Sequence, residues 1–232
     1  MRQESDFIGV KTIPPAAYWG VHTARAIENF PITGHSVAQM PELIRALALV
    51  KKAAAHANVQ LGAIHASQGD AIAKACDDLI AGKLHTEFVV DVIQGGAGTS
   101  TNMNANEVIA NLALEHLGLA KGRYDVIDPN DHVNASQSTN DVYPTALKLA
   151  TWFGAQKLLT ALASLRGAFE AKAREFDRVL KIGRTQLQDA VPMTLGQEFT
   201  AFVSMLADDE KRLRDSLFLM TEVNLGGTAI GT

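Results

Sequence analysis

The 232-residue sequence carries a formal net charge of −4 and is 47% hydrophobic but only 6% aromatic. Such a make-up describes a soluble globular chain of one or two domains. Basic residues are scattered among acids with no basic stripe, which argues against a nucleic-acid partner, and no apolar run reaches membrane-spanning length. One cysteine, Cys76, cannot form an internal disulfide and fits a reducing compartment. The start, Met-Arg-Gln-Glu-Ser-Asp, lacks a signal-peptide core, so the expected location is cytoplasmic. Leu and Ala dominate the apolar set and period-two alternation is scarce, so the expected class is all-α.

Residues 6 to 34 hold Pro14, Pro15 and Pro31 with three glycines and read as an extended, turn-rich lead-in; neither His22 nor His35 stands out as a ligand. A helix is expected from about Pro41 to Leu61, with Leu43, Ile44, Leu47 and Val50 on one face and Gly62 as its stop. A second is expected from an N-cap at Ser67, supported by Asp70, to Gly82, with Cys76 on its apolar face as a core filler. Phe88-Val-Val-Asp-Val-Ile93, the glycine loop at Gly95-Gly96-Ala97-Gly98 and a helix from Asn102 to Leu117 follow. Run, loop and helix can spell a nucleotide site, yet the spacing is not G-x-G-x-x-G and the Gly-Lys-Ser/Thr of a P-loop is absent. Two readings stay open: a tight turn, or a loop whose backbone N–H groups approach a small anion beside Thr99 and Ser100.

Residues 121 to 135 form a polar connection with a turn signal at Asp128-Pro-Asn-Asp131. Ser138-Thr139-Asn140-Asp141 then opens a long helix running to about Phe176. A helix start near Asn140 or Asp141 places Pro144 in the first turn, where its missing N–H removes no helical bond. Hydroxyls and an amide beside free backbone donors, at the positive end of a helix dipole, suit an anion; an ordinary N-cap accounts for the same residues. Leu158, Leu162, Leu165, Phe169, Ala173 and Phe176 step by four and three as a bundle seam. Thr194-Leu-Gly-Gln197 is a capping box for an answering helix through Leu195, Phe199, Phe202, Leu206, Leu213, Leu217 and Met220. Two such helices leave apolar arc uncovered, so the chain is expected to be a fragment or to complete its bundle with other subunits. Expected domains are 1–138 and an incomplete helical-bundle domain, 139–232.

Thr99-Ser100, Ser138-Thr139-Asn140 and Thr185-Gln186 share one design, small hydroxyl or amide groups expected near helix starts. If they converge, they enclose a small anion, and uncharged donors suit a carboxylate whose charge grows during reaction. The sequence shows no Ser-His-Asp set, no Cys nucleophile and no close pair of metal-type ligands. Proton abstraction beside a carboxylate remains.

Gly96-Ala-Gly-Thr99 with Asn102-Met-Asn104, then Ser138-Thr-Asn-Asp141 before Pro144-Thr-Ala146, then Gly183-Arg-Thr-Gln-Leu-Gln-Asp-Ala190 with Leu195-Gly-Gln-Glu198, closely resemble the marker segments of the aspartase/fumarase superfamily, in order and across the whole chain. Gly20-Val-His-Thr23, Glu28-Asn-Phe30 and Gln94-Gly-Gly-Ala-Gly98 resemble its aspartase branch, and Gln186 agrees, since fumarases carry histidine there.

The resemblance implies a reversible anti-elimination of L-aspartate to fumarate and ammonia without an organic cofactor. Thr99, Ser138 and Thr139 would hold the β-carboxylate and its doubly charged aci form, and Asn140, Thr185 and Gln186 would face the amino end. It also implies a homotetramer with a central helical bundle, each active site built from three subunits. The family's base is a serine in a Gly-Ser-Ser-x-x-Pro-x-Lys-x-Asn loop that this sequence lacks, so the chain is expected to represent the N-terminal half, with the serine beyond Thr232.

Overall fold

In the computed structural model residues 1–230 are described. The expectation at the last two residues, Gly231 and Thr232, lies outside them. The chain is mainly helical, in two compact units: Met1–Ala150 with the closing stretch from Val223, and Thr151–Glu222.

In the first unit, an antiparallel hairpin of β1 (Arg2–Asp6) and β2 (Gly9–Ile13) leads into α1 (Val21–Asn29). The expected extended, turn-rich lead-in is thus partly the hairpin's second strand, and α1 is the element it did not anticipate. No local signal announces α1, because its caps come from far along the chain. Glu107 accepts hydrogen bonds from the N–H groups of Gly20, His22 and Thr23 at 2.7, 2.8 and 3.1 Å, and Glu4 accepts from Val21 at 2.9 Å. Such charge-assisted capping by buried carboxylates does the work of a Ser or Asp N-cap. A side chain at Gly20 would displace this cap, since a Cβ would lie 2.4 Å from Glu4 Oε2 and 2.8 Å from the Tyr124 hydroxyl.

The core is a three-helix packing of α2 (Pro41–Gln60), α3 (Ala66–Ile80) and α4 (Thr99–His116). Leu43, Ile44 and Leu47 of α2, Ile72, Cys76 and Leu79 of α3, and Val108, Ile109 and Leu112 of α4 are all buried. Each such side chain contributes roughly 1.5–3 kcal/mol. The first helix fits its expected span, and Gly62 just past it takes a positive φ, as a C-terminal stop does. Cys76 is fully buried, and burial pushes its thiol up to about 12, so it is an unreactive core filler. The cap of α3 is not Ser67 but His65, whose backbone N–H donates to the Gln68 side chain at 3.0 Å.

Phe88–Ile93 does not form a strand running into the glycine loop. Asp91 turns inward, accepting from the N–H groups of Thr33, Gly34 and Ile93 at 2.7, 3.0 and 2.8 Å. The nucleotide reading needed strand, loop and helix, and it loses its strand. Asp128-Pro-Asn-Asp131 opens a single π-helical turn, Pro129–Val133, with the Asp128 carboxylate accepting from Asn130 and Asp131.

The long helix α5 spans Thr139–Glu175. Its start at Thr139 puts Pro144 in the second turn, not the first, so the Asn140 carbonyl lacks the amide donor that residue 144 would otherwise supply. In the second unit, α6 (Leu195–Leu217) carries the expected capping box, Thr194 Oγ1 accepting from Gln197 N–H at 3.1 Å and Gln197 Oε1 from Thr194 N–H at 2.9 Å. The α5 seam departs from the expected one at two positions, Leu158 and Leu165. Leu158 and Leu165 are 51% and 45% exposed, whereas Ala155 and Leu159 are buried with Leu217, and Phe169 and Phe176 stack against Phe199 with ring centroids 5.6 Å apart. Arg166 occupies the stripe where an apolar residue was sought. It reaches Glu210 at 2.9 Å, and Glu210 is only 4% exposed.

Candidate functional site

Thr185 and Gln186 do not stand at a helix start. They belong to the second unit, in a hairpin of β3 (Leu180–Thr185) and β4 (Gln188–Thr194) whose two-residue turn, Gln186 and Leu187, has φ of 47° and 65°. Both turn residues in the left-handed region make a type I′ hairpin, which matches strand twist but normally calls for Asn-Gly. Thr185 and Gln186 are exposed.

Thr99, Ser138, Thr139 and Asn140 all lie in the first unit, where the starts of α4 and α5 are neighbours. Gly98, the N-cap of α4, has φ +88°, and a Cβ there would sit 2.3 Å from the Tyr143 ring of α5. One turn further into α4, Asn102 Nδ2 donates to Thr139 Oγ1 at 3.2 Å. Thr99 is exposed and lines, with Ser100, a surface pocket of about 150 Å³ whose other wall is His22, Arg25 and Asn29 of α1. Arg25 is held there by two 2.7 Å bonds to Asp6, whose carboxyl its guanidinium keeps well below the usual range.

At α5 some helix-end donors are already used. Ser138 N–H donates to Asp141 Oδ1 at 3.0 Å, the other oxygen of Asp141 accepts from Gly226 N–H at 3.1 Å, and Ser138 Oγ accepts from Asn140 N–H at 3.2 Å. Part of the stretch is therefore the ordinary cap that the sequence left open. The Ser138 hydroxyl itself donates to Asn140 Oδ1 at 3.4 Å, so what remains for an external anion is side-chain chemistry: the Thr139 hydroxyl, the NH2 of the exposed Asn140 amide, and the Ser138 hydroxyl if it turns from Asn140.

Behind these residues lies a polar network that the sequence reading missed. Lys51 of α2 is fully buried and donates to Asn134 Oδ1 at 2.7 Å. Asn102 Nδ2 and Asn106 Nδ2, both on α4, reach the same oxygen at 3.1 and 3.2 Å. The signal was present: Asn102, Asn104 and Asn106 in a helix otherwise rich in Ala, Leu and Ile have no place in an apolar core unless bonded to one another or to a partner. Burial pushes the Lys51 ammonium down to about 7, against the opposing pull of Cys76 and Asp141.

That displacement carries a testable sign. A lysine whose folded value lies below its unfolded value leaves the unfolded chain binding more protons between those values, so stability rises with pH across that window. Relative to Lys51→Met, the parent protein is expected to gain about 3 kcal/mol between about pH 6.5 and 9.5. Denaturant melts at both pH values measure it, and parallel curves for the two proteins contradict it.

His132 is not poised as a base, because its Nδ1 accepts from the Asp128 backbone N–H at 2.8 Å within the π turn. Among the described residues no three His, Cys, Asp or Glu side chains are grouped to hold a metal ion, and no helix is long and apolar enough to cross a membrane.

Known proteins match this arrangement along its whole length. A family model described as lyase covers residues 9–232. An aspartate ammonia-lyase of Pseudomonas canavaninivorans is 57% identical over all 232 residues, which make up 49% of that protein. Among solved structures, the fumarate lyase:delta crystallin of Brucella melitensis superposes with a TM-score of 0.96 at 59% identity, covering all of this chain and 50% of that one. A class II fumarase of Schistosoma mansoni gives a TM-score of 0.91 at 40% identity, covering 48% of its length. The chain thus spans about half the length of the relatives it matches. With the marker segments at the starts of α4 and α5 and a lyase model matched from residue 9 onward, the chain belongs to the lyase family of the aspartase/fumarase superfamily.

Proposed function

We propose that this chain supplies the N-terminal portion of an aspartate ammonia-lyase, which interconverts L-aspartate with fumarate and ammonia by anti-elimination. The observation that carries the reading is the end-to-end match at 57% identity to an aspartate ammonia-lyase, against 40% to a class II fumarase. Thr99, Ser138 and Thr139 receive the β-carboxylate, and their uncharged donors strengthen as the proton leaves the neighbouring carbon and a second negative charge forms. Asn140, Thr185 and Gln186 face the amino end. The enzyme works without an organic cofactor, as a cytoplasmic homotetramer in which segments from different subunits complete each site, and the proton is taken by a serine beyond Thr232.

The complete enzyme, given fumarate with ammonia and separately with water alone, tests this by the ultraviolet absorbance of fumarate. Consumption that requires ammonia and yields aspartate is the expected result. Hydration to malate without ammonia overturns the ammonia-lyase assignment.

A further inference from the structure

We propose that Asn102 is a positioning residue, and that with Asn134 and Lys51 behind it, it holds the Thr139 hydroxyl as a donor aimed at the anion. The inference rests on the reading of Thr139 as a carboxylate donor. Its own ground is the direction of the hydrogen bonds.

The direction propagates residue by residue. Asn134 cannot be reversed, because its Nδ2 donates to the Gln137 carbonyl at 3.2 Å while its Oδ1 takes Lys51 Nζ at 2.7 Å. Either protonation state of Lys51 presents an N–H to that oxygen. Asn102 must then turn its NH2 group toward Asn134, since the opposite orientation sets two acceptor oxygens against each other. One proton of that group goes to Asn134 Oδ1 at 3.1 Å, and the other goes to Thr139 Oγ1 at 3.2 Å. A hydroxyl oxygen that accepts from Asn102 directs its own proton elsewhere, and accepting one bond strengthens the bond it donates.

The cost of this arrangement is visible. Asn102 is 1% exposed and Asn106 fully buried, yet among the described residues Asn102 Oδ1 and Asn106 Oδ1 find no donor. An orphaned buried acceptor is unfavourable, and here two are tolerated while both amide nitrogens converge on Asn134.

A double-mutant cycle in the complete enzyme tests the relay. Asn102→Leu, close in size, is expected to lower kcat for L-aspartate on the order of tenfold, the worth of one well-placed hydrogen bond, with KM little changed. In a Thr139→Val background the same substitution is expected to cost less than about twofold, because its target is gone. Equal losses in both backgrounds mean general loosening and overturn the proposal, as does an unchanged kcat in the folded Asn102→Leu protein. If Asn102→Leu does not fold, Lys51→Met, two steps further back, decides in its place: a smaller loss confined to the Thr139 background supports the relay, and a background-independent loss or none refutes it. An unsubstituted enzyme inactive on aspartate strikes the functional reading instead, and is recognised before any variant is made.

Discussion

Thr139→Val in the complete enzyme is expected to lower kcat for L-aspartate roughly 100-fold while moving KM much less. Valine keeps the branched shape and helix compatibility of threonine but removes the hydroxyl, so the loss isolates one donor. In the ground state that donor meets a singly charged carboxylate. As the proton leaves the neighbouring carbon, the same group becomes a dianion and the hydrogen bond strengthens, so its removal is felt chiefly at the transition state. Steady-state kinetics reads the split between kcat and KM. Thr160→Val is the control: its exposed hydroxyl bonds only the Gln156 carbonyl of its own helix at 3.0 Å, and activity should be near normal. An unchanged kcat for Thr139→Val removes Thr139 from the mechanism.

The larger effect concerns the chain on its own. These 232 residues, purified alone, are expected to form no measurable fumarate from L-aspartate, because abstraction of a proton from carbon requires a positioned base. Ser138, the best-placed serine, has its amide on Asp141 and its oxygen accepting from Asn140, and His132 has Nδ1 committed to the Asp128 backbone. Supplying in trans the C-terminal half of an aspartate ammonia-lyase, with its serine loop, is expected to restore part of the activity. Turnover by the isolated chain that survives Ser138→Ala but is abolished by His132→Ala shows instead that these residues carry their own base.

How much the sequence revealed depended on whether each device is local. The end of α2 at Gly62, the capping box at Thr194 and Gln197, and the core position of Cys76 all rest on neighbours within a turn or on one helix face, and they were legible. Helix α1 was not, because Glu107 caps it from more than 80 residues away. The hairpin at Gln186 was hidden by a type I′ turn built without Asn or Gly. Phe169 and Phe176 of the expected α5 seam pack against α6, but around Leu158 and Leu165 the packed face runs through Ala155, Leu159 and Arg166, because Arg166, paired with the buried Glu210, interrupts the apolar stripe. For the candidate site, the residues that face solvent were readable as a pattern of hydroxyls. The buried amides behind them were signalled by Asn102, Asn104 and Asn106 in an apolar helix, but their partners Asn134 and Lys51 were not, because these join Asn102 only when three distant segments fold together.

Glu107 acts within the first unit as a tethered competitor. Its carboxylate occupies the backbone amides at the start of α1 with an effective concentration that no free metabolite in solution matches, so a diffusing carboxylate is shut out of that helix end. A small anion is drawn to any exposed run of helix-end amides, whichever helix supplies it. By plugging one such end from inside, the fold takes the start of α1 out of the set of helix ends open to a diffusing anion.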